Sequence, residues 1–180
     1  MIYIFLAEGF EEVEAIAAID VIRRANIDIK TVGINGKTIK GSHGMPIVCD
    51  LNEDEIALDA DVDGIILPGG MPGTLNLNDS SAVQNAIDFC SENEKLLAAI
   101  CAAPLILGRK GLLKDKNAVC FPGFEEELLG ARISDDFVCA DGNVITAKGM
   151  GSAINFGLAI VAYFKGVEKS AELKSTLQCS

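Results

Sequence analysis

Leu96-Leu97-Ala98-Ala99-Ile100-Cys101-Ala102-Ala103-Pro104 is the stretch that decides the fold. Residues 96–100 are apolar without interruption, the pattern of a strand buried on both faces. The run stops at a cysteine, and small residues and a proline then open a helical pattern from Leu105 onward. A residue at such a strand-to-helix turn is pushed out of the sheet, beside the free N–H groups of the next helix. For Cys101 that position favours the thiolate and is expected to lower its pKa below the free value of about 8.5. The geometry is that of a nucleophile elbow with cysteine in the place of serine. A plain structural role suits the same residues, since free cysteine is among the most buried residue types.

Outward from this stretch, apolar runs alternate with helical periods. Residues 2–6 form a buried strand that Gly9 ends, and residues 11–25 then turn helical, with Val13, Ile16, Ala17, Val21 and Ile22 as the expected apolar stripe. Glu11, Glu12 and Glu14 fall in its first turn and Arg23 and Arg24 in its last, both favourable to the helix dipole. Residues 27–34 give a second strand, so the chain opens as a β-α-β unit, which implies a parallel sheet and a right-handed crossover. Residues 37–50 are expected to pair as two short strands around Ser42-His43-Gly44, and residues 52–55 to open a weak acidic helix. A third main strand at 63–67 stops at Pro68-Gly69-Gly70, and Ser80 caps a helix over residues 80–92. Short extended pieces at 118–121 and 131–133 flank a small acidic helix at 125–129. A hairpin over 137–147 and helices at 153–164 and 167–177 close the chain. The sum is a flavodoxin-like three-layer α/β/α sandwich with a mostly parallel central sheet, expected as one domain over residues 1–180.

Composition bounds the function. The 180 residues carry 26 acidic and 15 basic side chains, a net charge of −11. That balance argues against nucleic acid or an anionic membrane as partner, since both reward clustered Lys and Arg. The 6 cysteines lie far apart with no C-x-x-C pair, and residues 2–6 are too short for a signal segment. A cytoplasmic protein with reduced thiols is expected. One histidine, His43, and no paired cysteines make a zinc site unexpected. Gly149-Met150-Gly151 fails as a dinucleotide fingerprint because Ile154 stands where the third glycine belongs, and there is no P-loop, so no cofactor is assigned.

In an open α/β sheet, ligands bind beyond the C-terminal strand ends, so residues after Leu6, after Leu67 and at Cys101 should meet on one rim. There the N–H groups of Gly70 and Ala102 would form an oxyanion hole. Glu14, in an apolar niche beside Val13, Ala15 and Ile16, would have a raised pKa and serve as proton donor or general acid/base. Glu11 and Glu12 suit the role of surface acids better. His43, in a turn, is more commonly a surface residue than a catalyst.

Five segments in register over nearly the whole chain resemble the ThiJ/PfpI superfamily, within it the branch of the parkinsonism-associated deglycase. They are Ala7 to Glu14, Asp20 to Ala25, Ile66 to Gly70, Ala98 to Pro104, and Thr146 to Ser152 with the helix behind it. The resemblance places the family's reactive cysteine on Cys101, the glutamic acid bonded to it on Glu14, and the backbone donors on Gly70 and Ala102. It implies a cofactor-free cysteine enzyme acting on glyoxals or on glycated thiol and amine groups. It also implies an oxidative-stress sensor through the sulfinic acid of the same cysteine. A homodimer through the first helix would bring Arg24, and with it His43, toward the seam. One departure stands out: many relatives carry a histidine before a proline close to the cysteine, where this chain has Phe121-Pro122. A Cys-His dyad is thereby lost from this position, and peptidase chemistry is disfavoured. Two readings remain: a glyoxalase or deglycase, and a sensor or stress chaperone without turnover. Cys120 is a further candidate, as a resolving thiol for Cys101.

Overall fold

Strand β1 (Ile2–Leu6) lies in the middle of the sheet because both of its faces are apolar: Ile2, Ile4 and Leu6 point to one side and Tyr3 and Phe5 to the other. The structure, a computed structural model, describes residues 1–179. After β1 come α1 (Glu12–Arg24), β2 (Ile29–Gly33), the hairpin strands β3 (Thr38–Lys40) and β4 (Pro46–Val48), β5 (Leu51–Asn52) and β6 (Gly64–Leu67). Then follow α2 (Gly73–Asp79), α3 (Ser81–Glu92), β7 (Leu96–Ile100), α4 (Pro104–Arg109), β8 (Asn117–Ala118) and β9 (Arg132–Ile133). The chain ends with β10 (Val138–Asp141), β11 (Val144–Ala147), α5 (Ala153–Lys165) and α6 (Val167–Thr176). The 7-stranded sheet has the order β10-β11-β7-β6-β1-β2-β5, and only β10 runs antiparallel to its neighbour. This is the flavodoxin-like α/β sandwich that the alternation of patterns predicts.

Each face of the sheet has its own core. Leu77, Val83, Ile87 and Leu105, from α2, α3 and α4, cover Phe5, Leu67 and Leu97. Ala15, Ile19, Ile22 and Phe156, from α1 and α5, cover Ile4, Ile66 and Ile100. A β-carbon on Gly157 would stand 2.9 Å from Val21 Cβ, so the glycine sets how closely α5 lies on α1. Among the described residues no helix is long and apolar enough to cross a membrane.

The structure corrects several local expectations. Helix α1 buries Ala15, Ala18, Ile19, Val21 and Ile22, and with them Glu12 and Glu14, while Val13 and Ile16 remain 45% and 40% exposed. The helix is apolar on more than one side, and its rotation is settled by partners for the two carboxyls. The weak acidic helix expected at 52–55 is a single 3-10 turn, Glu53–Glu55, capped by Asn52, and Leu51 and Asn52 join the sheet edge before it. Helix α2 carries no signal in the sequence, because Gly73, Asn76, Asn78 and Asp79 are all poor helix formers. The extended pieces before and after the acidic turn Glu125–Glu127 pair with each other in parallel as β8 and β9.

Candidate functional site

Cys101 sits at the tip of β7 with φ of 64°, in the left-handed region that a residue with a β-carbon enters at a cost of about 1–3 kcal/mol. Hydrogen bonds on both sides hold it there. Its N–H donates to the Ala147 carbonyl at 2.9 Å, and its carbonyl accepts from the N–H of Phe121 at 2.8 Å. The turn aims the sulfur off the end of the sheet, where the N–H groups of Ala102 and Gly70 face it. The structure thus brings Cys101, Gly70 and Ala102 together at this rim.

Glu14 reaches the same place from α1. Its carboxylate accepts the Gly69 N–H at 2.9 Å and is hydrogen-bonded to the Cys101 thiol. The loops that bring these elements together are cross-linked by backbone. Glu11 N–H donates to Gly69 O at 2.9 Å, Gly73 N–H to Gly9 O at 3.2 Å, and Gly9 N–H to Lys40 O at 2.8 Å. Gly70, with φ of 92°, leaves no room for a side chain, since a β-carbon there would lie 2.4 Å from the Glu11 nitrogen. Nothing local marks Gly69 as the donor to Glu14, since the turn offers two neighbouring N–H groups and the carboxyl that selects one arrives from α1.

The niche around Glu14 differs from the expected one. Val13 and Ile16 point away from it, and Gly69, Cys101 and Gly149 surround its carboxyl instead. Burial pushes Glu14 up to about 7, although hydrogen bonds from Cys101 and the Gly69 N–H oppose the rise and the Glu11 charge adds to it. The expectation of a depressed cysteine pKa is overturned. Burial pushes the Cys101 thiol up to about 12, helped by the charge and hydrogen bond of Glu14, and the N–H groups of Ala102 and Gly70 only partly offset this. A thiolate therefore depends on the proton moving to Glu14, which then donates to the sulfur instead of accepting from it. One proton serves both groups.

Glu12 is no surface acid. It is 3% exposed and accepts the backbone N–H of His43 at 2.8 Å and of Met45 at 3.4 Å, with His43 Nδ1 at 3.0 Å. Burial alone would push Glu12 up, but the His43 ring and these N–H groups hold it down at about 2. His43 is raised in turn by its hydrogen bond to Glu12 and the charges of Glu11 and Glu12. The histidine thus fastens the β3–β4 hairpin to α1. Glu11, Glu12 and His43 bring potential ligand atoms within 4.8 Å of one another, but Glu12 is already committed to the hairpin backbone.

Cys120 is buried in the core on the α3 and α4 side, whereas Cys101 packs against the core on the α1 and α5 side. All six cysteines are free thiols.

A cysteine on a strained elbow, paired with a buried glutamic acid at the C-terminal rim of a parallel sheet, defines a thiol-bearing flavodoxin-like protein. Residues 1–163 match the DJ-1/PfpI family. Protein dj-1beta of Drosophila melanogaster is 36% identical over 177 residues, covering 97% of this chain and 94% of its own. The glutathione-independent glyoxalase DJR-1.2 of Caenorhabditis elegans is 30% identical over 172 residues, covering 94% and 91%. The solved structure of oxidized DJ-1 from Toxoplasma gondii superposes with a TM-score of 0.94 at 28% identity, covering 99% of this chain and 98% of that one. The chain belongs to the DJ-1/PfpI family.

Proposed function

We propose that this protein is a cofactor-independent thiol enzyme that converts reactive dicarbonyls such as methylglyoxal to hydroxy acids, in defence against carbonyl and oxidative stress. The observation that carries the reading is the proton shared by Cys101 and Glu14, with Glu14 raised to about 7 and so poised to exchange it near neutral pH. The glyoxalase among the relatives supports it. In the reaction, the Cys101 sulfur adds to the aldehyde carbon as its proton passes to Glu14. The carbonyl electron pair moves onto oxygen, facing the N–H groups of Gly70 and Ala102, and the product is a hemithioacetal. Glu14 gives that proton to the oxygen as the hemithioacetal forms and is a carboxylate again. It then takes the proton of the former aldehyde carbon and delivers it to the neighbouring carbonyl carbon, while the hydroxyl proton passes to that carbon's oxygen, giving the thioester of a 2-hydroxy acid. Water cleaves that thioester, releasing lactate and the free thiol. Nothing is oxidised or reduced overall, so no cofactor enters the balance. Glycated thiol and amine groups are substrates of the same chemistry.

Methylglyoxal consumption with lactate detection tests this. Cys101→Ser is expected to lower kcat by about 10⁴-fold or more, and Glu14→Gln by about 10²–10⁴-fold. Wild-type protein without turnover would remove the enzyme reading and leave the second one, a redox sensor or stress chaperone without turnover. There, Cys101 oxidises to a sulfinate held by protonated Glu14 and the same N–H groups. What favours this second reading is that Cys101 is partly open at the rim, as Cys179 is after α6, while Cys49, Cys90, Cys120 and Cys139 are buried. Peroxide followed by intact mass is expected to add two oxygens at Cys101 alone; oxidation scattered over the cysteines would sink it.

The same proposal includes a homodimer through α1, in the reducing cytoplasm that many unpaired thiols suit. Val13, Ile16, Ala17, Met45 and Ile47 line one exposed apolar hollow beside Asp20, which pairs with Arg24 at 2.7 Å. Ile16→Asp is expected to halve the mass seen by light scattering, and an unchanged mass would move the interface elsewhere.

A further inference from the structure

The proton chemistry at Cys101 and Glu14 leaves unused a cavity of about 280 Å³ formed by Phe121, Pro122, Phe137, Lys148, Gly149 and Met150, with Gly151 and Ser152 behind. Three large apolar side chains converge there while facing water: Phe121 is 48% exposed, Phe137 66% and Met150 55%. Scattered exposed apolar residues are ordinary, but a cluster in one hollow marks a place where something binds. The volume is just under that of small-molecule sites, which span about 300–1,000 Å³.

The hollow opens onto the reacting groups. A β-carbon at Gly149 would lie 3.3 Å from the Phe121 ring and 3.9 Å from Glu14 Oε1, so the ring and the carboxyl flank one gap that a glycine leaves open. Phe121 is tied to the nucleophile through its N–H, which donates to the Cys101 carbonyl at 2.8 Å. Phe137 is fixed from behind, with its carbonyl accepting the Lys148 N–H at 2.9 Å and Lys148 Nζ lying 5.8 Å from its ring centre. The Phe121 ring therefore stands across Gly149 from the Glu14 carboxyl, and the Phe137 ring and the Met150 thioether line the same hollow. A methyl substituent would leave most of their surface wet, whereas an aromatic ring would cover it.

We propose that this hollow is the subsite for the non-reacting substituent of the substrate, and that it selects α-oxoaldehydes bearing an aromatic or bulky apolar group over methylglyoxal. The substrate class rests on the thiol-enzyme reading above; the subsite itself is open to a test without turnover.

The kinetic test compares phenylglyoxal with methylglyoxal in wild type, Phe121→Ala and Phe137→Ala. The wild-type kcat/KM is expected to favour phenylglyoxal by about tenfold or more. Either substitution should bring the ratio toward one, through a larger loss on phenylglyoxal than on methylglyoxal. A wild-type ratio near one overturns the proposal. So does an equal loss on both substrates, which would make the rings supports of the elbow only.

The turnover-free test follows alkylation of Cys101 by 2-bromoacetophenone and by bromoacetone, read by intact mass. In each case sulfur displaces bromide as the S–C bond forms and the thiol proton leaves to water. Each rate is divided by that reagent's rate with a simple thiol in solution. A preference of about tenfold for the aromatic reagent is expected in wild type and not in either alanine variant. If that preference holds while neither glyoxal is turned over, the subsite stands and the enzyme reading fails. If the preference is missing, or if Phe121→Ala changes the oligomer mass instead, the hollow is no substrate subsite.

Discussion

Gly69→Ala is expected to lower kcat/KM for methylglyoxal by about 10²-fold or more while the protein still folds. The new methyl would lie 2.6 Å from both Glu14 Oε2 and Cys101 Cβ, and 3.1 Å from the Cys101 sulfur. No side chain accepts contacts that short, so the carboxyl and the thiol must part. A displacement near 1 Å at reacting groups commonly costs about 10²-fold. The structural cost is that of overpacking, about 1–3 kcal/mol, which a domain of this size survives. Gly70→Ala is the informative contrast. Its backbone is in the left-handed region and its methyl would meet the backbone of Glu11 and Gly9, so that variant should lose stability first. Steady-state kinetics with thermal melts on both variants separate the two effects. Wild-type turnover in a folded Gly69→Ala protein would show that the Glu14–Cys101 contact is not used.

What makes Gly69 decisive was invisible along the chain, and the reason is sequence distance. The elbow was legible because its signal is local: an apolar run, a cysteine, small residues and a proline lie in nine consecutive positions, 96–104. The rotation of α1 was not. Val13, Ile16 and Ala17 are as apolar as Ala15, Ala18 and Ile19, so periodicity allows two faces. The choice is made by the Gly69 N–H, 55 residues from Glu14, and by the His43 N–H, 31 residues from Glu12. The cysteine pKa failed for a related reason. A strand-to-helix turn argues for nearby N–H dipoles, but burial and a carboxylate arriving from another helix outweigh them. The hollow at Phe121 needed three separate segments to meet. Along the chain only Phe121 stands out, as the place of a lost histidine.

Glu14→Gln is expected to make the protein more stable at pH 8 and to leave it nearly unchanged at pH 5. Glu14 titrates near 7 in the folded protein, against an ordinary value of 4.5. Below about pH 4.5 the carboxyl is protonated in both folded and unfolded chains and contributes no pH dependence. Between 4.5 and 7 the folded protein keeps a proton that the unfolded chain releases, so stability falls as pH rises. Above 7 the full penalty is present, about 3 kcal/mol. Glutamine mimics the protonated acid: its carbonyl accepts the Gly69 N–H and its amide faces the sulfur, with no charge to bury. At pH 8 the variant should gain roughly 5–10 °C in Tm, and at pH 5 little. Removing the Glu14 charge also eases ionisation of Cys101, so the comparison belongs in a Cys101→Ser background, where the sulfur no longer titrates. Glu12 and His43 titrate alike in both proteins and cancel in the difference. A Tm gain of equal size at both pH values would show that Glu14 is ionised throughout. It would then be unable to take the proton on which the thiolate depends.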